Sequence, residues 1–291
     1  MSEPVVTPLK TPGRAPRVLT IDAEDWFHVC GDDYYSDPRR WDHFAPRVEK
    51  TLTGVLELLT RGGQRATVFF LGWIAARYPD LVREAVRRGH EAGVHGDLHR
   101  RVDHMSREEF REDLGRSRER VERAAGQPVR CYRAAEWSIR HAGEPALEEL
   151  ARAGFACDAS IVPVPPLGRA ENPVGPYRVE FPSGAVVELP PLTGRGFGRR
   201  IPVGGGWAFR MLRPSRIRAA ENAFRDRGHP AVFTFHPWEF DPEHPPMESL
   251  APLVKLVHFY NLRSLPRIFE RWLEQDRAVP LSEAAAALAP A

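Results

Sequence analysis

The sequence predicts an α/β protein built on parallel strands, on three observations. Short apolar runs of strand type alternate with stretches of helical periodicity from residue 18 to about residue 162. Clusters of polar side chains follow the ends of several strands, where parallel β/α architectures gather their sites. No convincing linker and no internal repeat divides the chain, which favours one elaborated domain.

Residues 1–16 are Pro-rich and polar and read as a flexible tail. Residues 18–21 form a buried strand that ends abruptly in charge. Apolar side chains at 48, 52, 55, 56 and 59 fall at helical spacing, and 74–86 repeats it. Between them, 66–71 is β-branched and aromatic, hence a strand; 90–95 is another. Ser106 and Glu109 form a capping box, opening a helix that Gly126 and Pro128 stop near residue 125. A strand over 131–134 and a helix over 145–153, closed by Gly154, follow. Residues 163–210, rich in Pro and Gly, read as long loops with one strand at 186–189. A helix over 214–227 leads into a last apolar strand at 231–235. The Ala-rich end, 281–291, reads as a segment that frays.

The 291 residues carry 42% apolar and 27% charged side chains, enough for a real core. A net charge of +2 gives no global field towards nucleic acid or a membrane surface. Only three of the 41 basic residues are lysines, a skew we read as composition bias and not as an arginine-rich binding site. Three scattered cysteines (Cys30, Cys131, Cys157) give neither a disulfide framework nor a thiolate zinc site. The first residues lack the apolar core of a signal peptide, and no apolar run is long enough to span a bilayer, so a cytoplasmic protein with no integral membrane segment is expected. There is no GxSxG elbow, Walker A loop or GxGxxG turn.

Asp22, Glu24 and Asp25 place three carboxylates in four residues, an arrangement that asks for solvent, a helix N-terminus or a cation. His95-Gly-Asp-Leu-His99 sets two imidazoles four apart, able to share one metal but weak as a signal alone. In Tyr132-Arg133-Ala-Ala-Glu136-Trp137, an arginine at a strand end can clamp a carboxylate. His236, straight after an apolar strand, is well placed for proton transfer, although a lone histidine of this kind is more often a hydrogen-bonded core residue. Asp158 could orient a histidine or cap a turn. Trp207 reads either as a sugar-stacking platform or as a core side chain.

Taken in order, the segments TIDAEDWFHV, ATVFFLGWIA, RGHEAGVHGDLH, VRCYRAAEWSI, GFACDASIVP and VFTFHPWEFDP resemble the polysaccharide deacetylases of carbohydrate esterase family 4, the NodB-homology group. GGGWAFRMLRP and HPWEFDP are similar to the exopolysaccharide- and exosortase-associated members, which carry a C-terminal extension. The resemblance implies a deformed (β/α)7-type barrel over residues 17–240, with 241–291 as a helical extension packed on the same domain. It implies Asp22 as general base held by Arg133, His236 as general acid oriented by Asp158, and His95 and His99 as metal ligands. The family's usual metal aspartate falls on Ala23, so Glu24 and Asp25 are both open as the carboxylate ligand. Ala135 replaces the usual proline after the arginine, and Gly96 replaces a hydroxyl residue. Glu136, Trp137, Trp207 and Trp238 are the expected substrate contacts.

The activity implied is metal-dependent N-deacetylation of N-acetylhexosamine units, with one divalent ion, zinc first and cobalt, nickel or manganese as alternatives. The expected partner is a carbohydrate, which the resemblance allows to be a lipid-linked precursor before export, and not a nucleic acid. Two other readings stay open: an allantoinase-like amidohydrolase of a small substrate, and a non-catalytic carbohydrate-binding protein on the same fold.

Overall fold

The computed structural model describes residues 4–29, 32–196 and 198–291. Its elements begin with β1 (Val5–Lys10), β2 (Arg17–Ala23), α1 (Val48–Arg61), β3 (Thr67–Phe70), α2 (Gly72–Arg77), α3 (Pro79–Arg87), β4 (Glu91–Val94) and α4 (Arg107–Ala125). Next come β5 (Cys131–Tyr132), α5 (Pro145–Arg152), β6 (Cys157–Asp158), β7 (Tyr177–Phe181), β8 (Gly184–Glu188), β9 (Thr193–Gly196) and β10 (Arg199–Pro202). The chain finishes with α6 (Gly206–Met211), α7 (Pro214–Arg225), β11 (Ala231–Phe235), α8 (Pro252–Phe259), α9 (Leu265–Leu273), β12 (Ala278–Val279), α10 (Leu281–Ala286) and β13 (Ala289–Pro290).

The parallel run is β11-β2-β3-β4-β5-β6-β8. β2 and β11 are buried along their whole length, as central strands of a covered parallel sheet must be. The run curls back on itself. Just beyond β8, Leu189 N–H donates to Asp158 C=O at 2.9 Å, and Leu192 N–H donates to Val232 C=O of β11 at 3.0 Å. A bridge at Pro191–Val232, not a full ladder, makes this seam. The result is the deformed barrel expected. All its strands point one way, so Asp22, His95, Arg133, Asp158 and His236 lie at one rim.

Helices cover the outside through their apolar stripes. α1 buries Val48, Leu52, Val55, Leu56 and Leu59, and truncating a buried leucine of this kind costs roughly 2–5 kcal/mol. α4 starts at the Ser106 box, with Glu109 N–H donating to Ser106 Oγ and Ser106 N–H to Glu109 Oε2. It ends on Gly126 at φ +68°.

Buried Glu149 of α5 accepts hydrogen bonds from Arg107 and Arg111 of α4. The Arg111 and Arg107 guanidinium groups pull its carboxyl down to about 2. Because the folded value is depressed, this pair stabilises above the unfolded carboxyl value and is lost as pH falls through about 2. Glu149→Gln is expected to lower stability at pH 7 by about 1–3 kcal/mol. In urea titrations the gap to wild type should narrow as pH drops below about 4.5.

Several expectations are corrected. Residues 5–10 are not a loose tail: β1 pairs antiparallel with β7 and β13, remote segments that local sequence does not reveal. The end of the chain is not frayed either, because α10 packs on β2 and β13 holds β1. The single helix expected at 74–86 is two. Pro79 disfavours a helical residue before it, and Tyr78 sits at φ −129°, ψ 59°. Residues 163–210 hold two hairpins, β7–β8 and β9–β10, and not one strand. Cys131 and Cys157 are buried free thiols side by side on β5 and β6, and Cys30 lies outside the described residues. Among the described residues, no helix is long and apolar enough to cross a membrane.

Candidate active site

Each polar side chain at the rim is delivered by a strand end. β2 ends at Asp22 and Ala23, and the next residue, Glu24, turns back with its N–H on Asp22 C=O at 2.9 Å. His95 follows β4, its N–H on Phe70 C=O at 2.9 Å. The loop to His99 is shaped by Gly96 at φ +77°, a left-handed position that suits glycine and accounts for the missing hydroxyl residue. Asp113 anchors this loop by accepting Asp97 N–H at 2.9 Å, and Arg120 Nη1 holds the Asp97 carboxylate at 2.6 Å.

Glu24 Oε1 lies 3.0 Å from His95 Nε2 and 3.0 Å from His99 Nε2. All three side chains are buried. His95 Nδ1 is 2.8 Å from the Arg133 carbonyl, which can only accept, so Nδ1 carries a proton. In the neutral ring, the His95 Nε2 lone pair then faces a carboxylate oxygen. Two acceptors do not sit 3.0 Å apart unless a proton or a cation lies between them. A ring Nδ1–H on a carbonyl is also the usual outer support of a metal-binding imidazole. Two imidazoles and a carboxylate are borderline donors suited to Zn²⁺ and its neighbours. The donor set therefore fits a divalent ion held by Glu24, His95 and His99.

Asp22 accepts from Arg133 Nη1 at 3.0 Å through Oδ1. Arg133 is itself fixed by Thr20 Oγ1, Thr234 Oγ1 and Ala159 C=O at 2.8–3.1 Å. His236 Nε2 stands 3.8 Å from Asp22 Oδ2 and 3.9 Å from Glu24 Oε1. Burial alone would raise Glu24, but the His99 and His236 charges and hydrogen bonds from the imidazoles hold it well below the usual range. Burial would lower His236, yet Glu24, Glu239 and Asp22 together push it up to about 9. A cavity of about 140 Å³ opens on this constellation, also lined by Ala134, Glu136, Trp137 and Leu167.

Four expected residues, Asp25, Asp158, Trp207 and Trp238, do not line the cavity. Asp25 does not face the cluster: its Oδ2 accepts Arg47 N–H at 2.8 Å and Val48 N–H at 3.0 Å, capping α1, which has no side-chain cap of its own. Asp158 does not reach His236. It sits in register beside Glu188 on β8, with Ser160 Oγ donating to its Oδ1 at 2.6 Å. Burial raises the Asp158 carboxyl, and burial together with the neighbouring Asp158 raises Glu188 well above the usual range. Trp207, in α6, packs against the core and does not line the cavity. Trp238 stacks between His236 and His258, with ring centroids 5.4 and 4.3 Å away. Glu136 and Trp137 reach the cavity through left-handed backbone (φ +55° and +50°), and Arg101 holds the Glu136 carboxylate at 2.8 Å.

The partner that His236 does have is Glu239. Its Oε2 accepts His236 N–H at 3.0 Å and lies 3.3 Å from His236 Nδ1. Arg210 Nη2 braces the other oxygen at 3.3 Å. The i, i+3 spacing in His236-Pro-Trp-Glu239 is the signal that could have found it. Leu167, on a long loop, left no such signal.

Residues 32–155 match the family polysaccharide deacetylase, and residues 159–285 match a domain of unknown function, DUF3473. The second match takes in barrel strands β8 and β11 as well as the C-terminal helices. No curated protein matches the chain. Among solved structures, a Mycobacterium smegmatis chain assigned to polysaccharide deacetylases aligns with a TM-score of 0.60 at 20% identity, over 95% of this chain and 94% of that one. The Bc1960 peptidoglycan N-acetylglucosamine deacetylase aligns at 0.51 and 16%, over 94% and 90%. A CE4 family pseudoenzyme from Bacillus anthracis aligns at 0.50 and 14%, over 94% and 66%. At such identities the structures share the fold, and the pseudoenzyme makes plain that the fold does not by itself carry activity. Both family matches lie on one barrel of this type, and residues 32–155 belong to the polysaccharide deacetylases, hydrolases of carbon–nitrogen bonds other than peptide bonds.

Proposed function

We propose that this chain is a metal-dependent deacetylase of N-acetylhexosamine units in an exopolysaccharide or its precursor. The observation that carries the reading is the facing of Glu24 Oε1 with His95 Nε2 and His99 Nε2 beside the Arg133–Asp22 pair. The exopolysaccharide assignment leans on the likeness of the C-terminal segments to that subgroup.

Glu24, His95 and His99 would hold the ion, which when bound would polarise an amide carbonyl and acidify water. Asp22 accepts the proton of the attacking water. Arg133 holds that carboxylate in place, so no reorganisation is needed as the charge moves. His236 carries a proton on Nε2 towards the same cavity and delivers it to the departing amine. Glu239, and not Asp158, orients its ring and stabilises its charged form. The Asp158–Glu188 pair acts at one remove: Ser160 Oγ accepts Ala134 N–H at 2.8 Å and Glu188 accepts Ile161 N–H at 3.1 Å, tying down the loop after Arg133.

Acetate release from chitin oligosaccharides tests the reading. Purified protein with added Zn²⁺ should release acetate, chelation should abolish it, and returning the ion should restore it. Sugar binding that ignores chelation, with no acetate formed under any divalent ion, would leave a non-catalytic carbohydrate-binding protein.

A further inference from the structure

We propose a second binding site, for an acidic stretch of polysaccharide, in the groove between α7 and the β9–β10 hairpin. It rests on the reading above only in taking a carbohydrate polymer as the substrate. The groove has a volume of about 490 Å³ and is flanked by Arg195 and Arg200 of the hairpin and Arg216 and Arg227 of the helix side. Ala219, Ala220 and Ala223 form its floor. Arg216 on the helix and Arg227, two residues past its end, bracket these alanines at i, i+3/i+4 spacing, a row that a single ligand can follow.

The charges have no internal answer. All four arginines are exposed, and among the described residues none of their side chains forms an ion pair or hydrogen bond. Some exposed arginines elsewhere do have carboxylate partners, Arg39 with Asp37, Arg83 with Asp80 and Arg178 with Glu180, but single exposed arginines such as Arg130 and Arg263 do not, so it is the clustering of four along one groove that marks this face. Residues 193–227 hold nine arginines and two acidic residues. Of those two, Glu221 is buried against Arg17 and Arg225, and Asp226 is paired with Arg14 at 2.8 Å. Arg195 and Arg200 are direct cross-strand partners, an arrangement of like charges that weakens a hairpin unless an anion lies between them. The composition bias that accounts for arginine in place of lysine does not account for this segregation.

Geometry selects the ligand. Arg216 lies in the first turn of α7 and Arg227 just past its end, so roughly the length of the helix, about 13 Å at helical rise, separates them, too far to converge readily on one phosphate. Charges spaced along a groove suit a polymer with repeated anions, and guanidinium forks suit carboxylates. The one aromatic ring in the lining, Phe224, is buried, so the stacking platform that single-stranded nucleic acid uses is absent among the described residues. The groove is tied to the strand that carries His236. α7 feeds β11, which ends at His236, and the hairpin base joins β11 through Leu192 N–H on Val232 C=O at 3.0 Å.

The test is calorimetric titration of the full chain with a galacturonate hexamer, which has carboxylates but no acetamide. Wild type should bind it. Arg195→Ser/Arg200→Ser and, separately, Arg216→Ser should each weaken binding by about tenfold, as should raising the salt. Acetate release from neutral chitin oligosaccharides should stay at the wild-type rate in both variants. Unchanged hexamer affinity in the variants would overturn the site. So would arginine-dependent binding of inorganic diphosphate without binding of the hexamer, which would make this a phosphate site. Since the hexamer lacks the reacting group, its binding is scored even if no acetate is ever released, and the two readings fail separately.

Discussion

Asp22→Asn should lower kcat for acetate release by about 10³-fold while the protein stays folded and retains its metal. Asparagine keeps the volume of the side chain and can still accept from Arg133 Nη1, which holds Asp22 Oδ1 at 3.0 Å. It loses the charge and the basic oxygen, Oδ2, that stands 3.8 Å from His236 Nε2. Arg133 keeps Thr20, Thr234 and the Ala159 carbonyl, so it is not stranded, and the stability cost should stay within about 1–3 kcal/mol. Circular dichroism and metal content would separate a catalytic loss from a collapsed site. Near-normal turnover in this variant would remove Asp22 from the proton transfer.

Glu24→Ala and Asp25→Ala should part company completely, although the residues are adjacent. Glu24→Ala removes the oxygen that both imidazoles face at 3.0 Å, and metal affinity and acetate release should fall together by at least about 100-fold. Asp25→Ala should leave metal in place and lower unfolding stability by about 1–2 kcal/mol, the scale of a lost helix cap. Its carboxylate serves the first amides of α1 and not the cluster.

Why the sequence separates some of these roles and blurs others follows from range. Strands and helices up to residue 162 were legible because their periodicity is local, and Asp22, His95, Arg133 and His236 because each directly follows such a strand. A strict alternation from Asp22 favours Glu24 as its partner on one face, but Asp25 competes until the start of α1 is known to need a cap, some 22 residues later. Asp158 misled for the same reason. Its true neighbour is Glu188, set beside it by the β6–β8 register, and no local spacing announces that. β1 depends on β7 and β13, from the middle and the end of the chain. Glu239 is the instructive omission, because its i, i+3 spacing to His236 was readable. Asp158, which the sequence also offers as able to orient a histidine, competes with it for that role.

Metal stoichiometry tests the central claim most directly. Elemental analysis of the wild-type protein after incubation with Zn²⁺ and removal of free ion should give about one equivalent per chain. The same analysis should find that equivalent retained in Asp25→Ala and lost in Glu24→Ala and in His95→Ala/His99→Ala. No bound ion in wild type with any divalent metal, or full occupancy in a folded Glu24→Ala protein, would contradict the site as it is described.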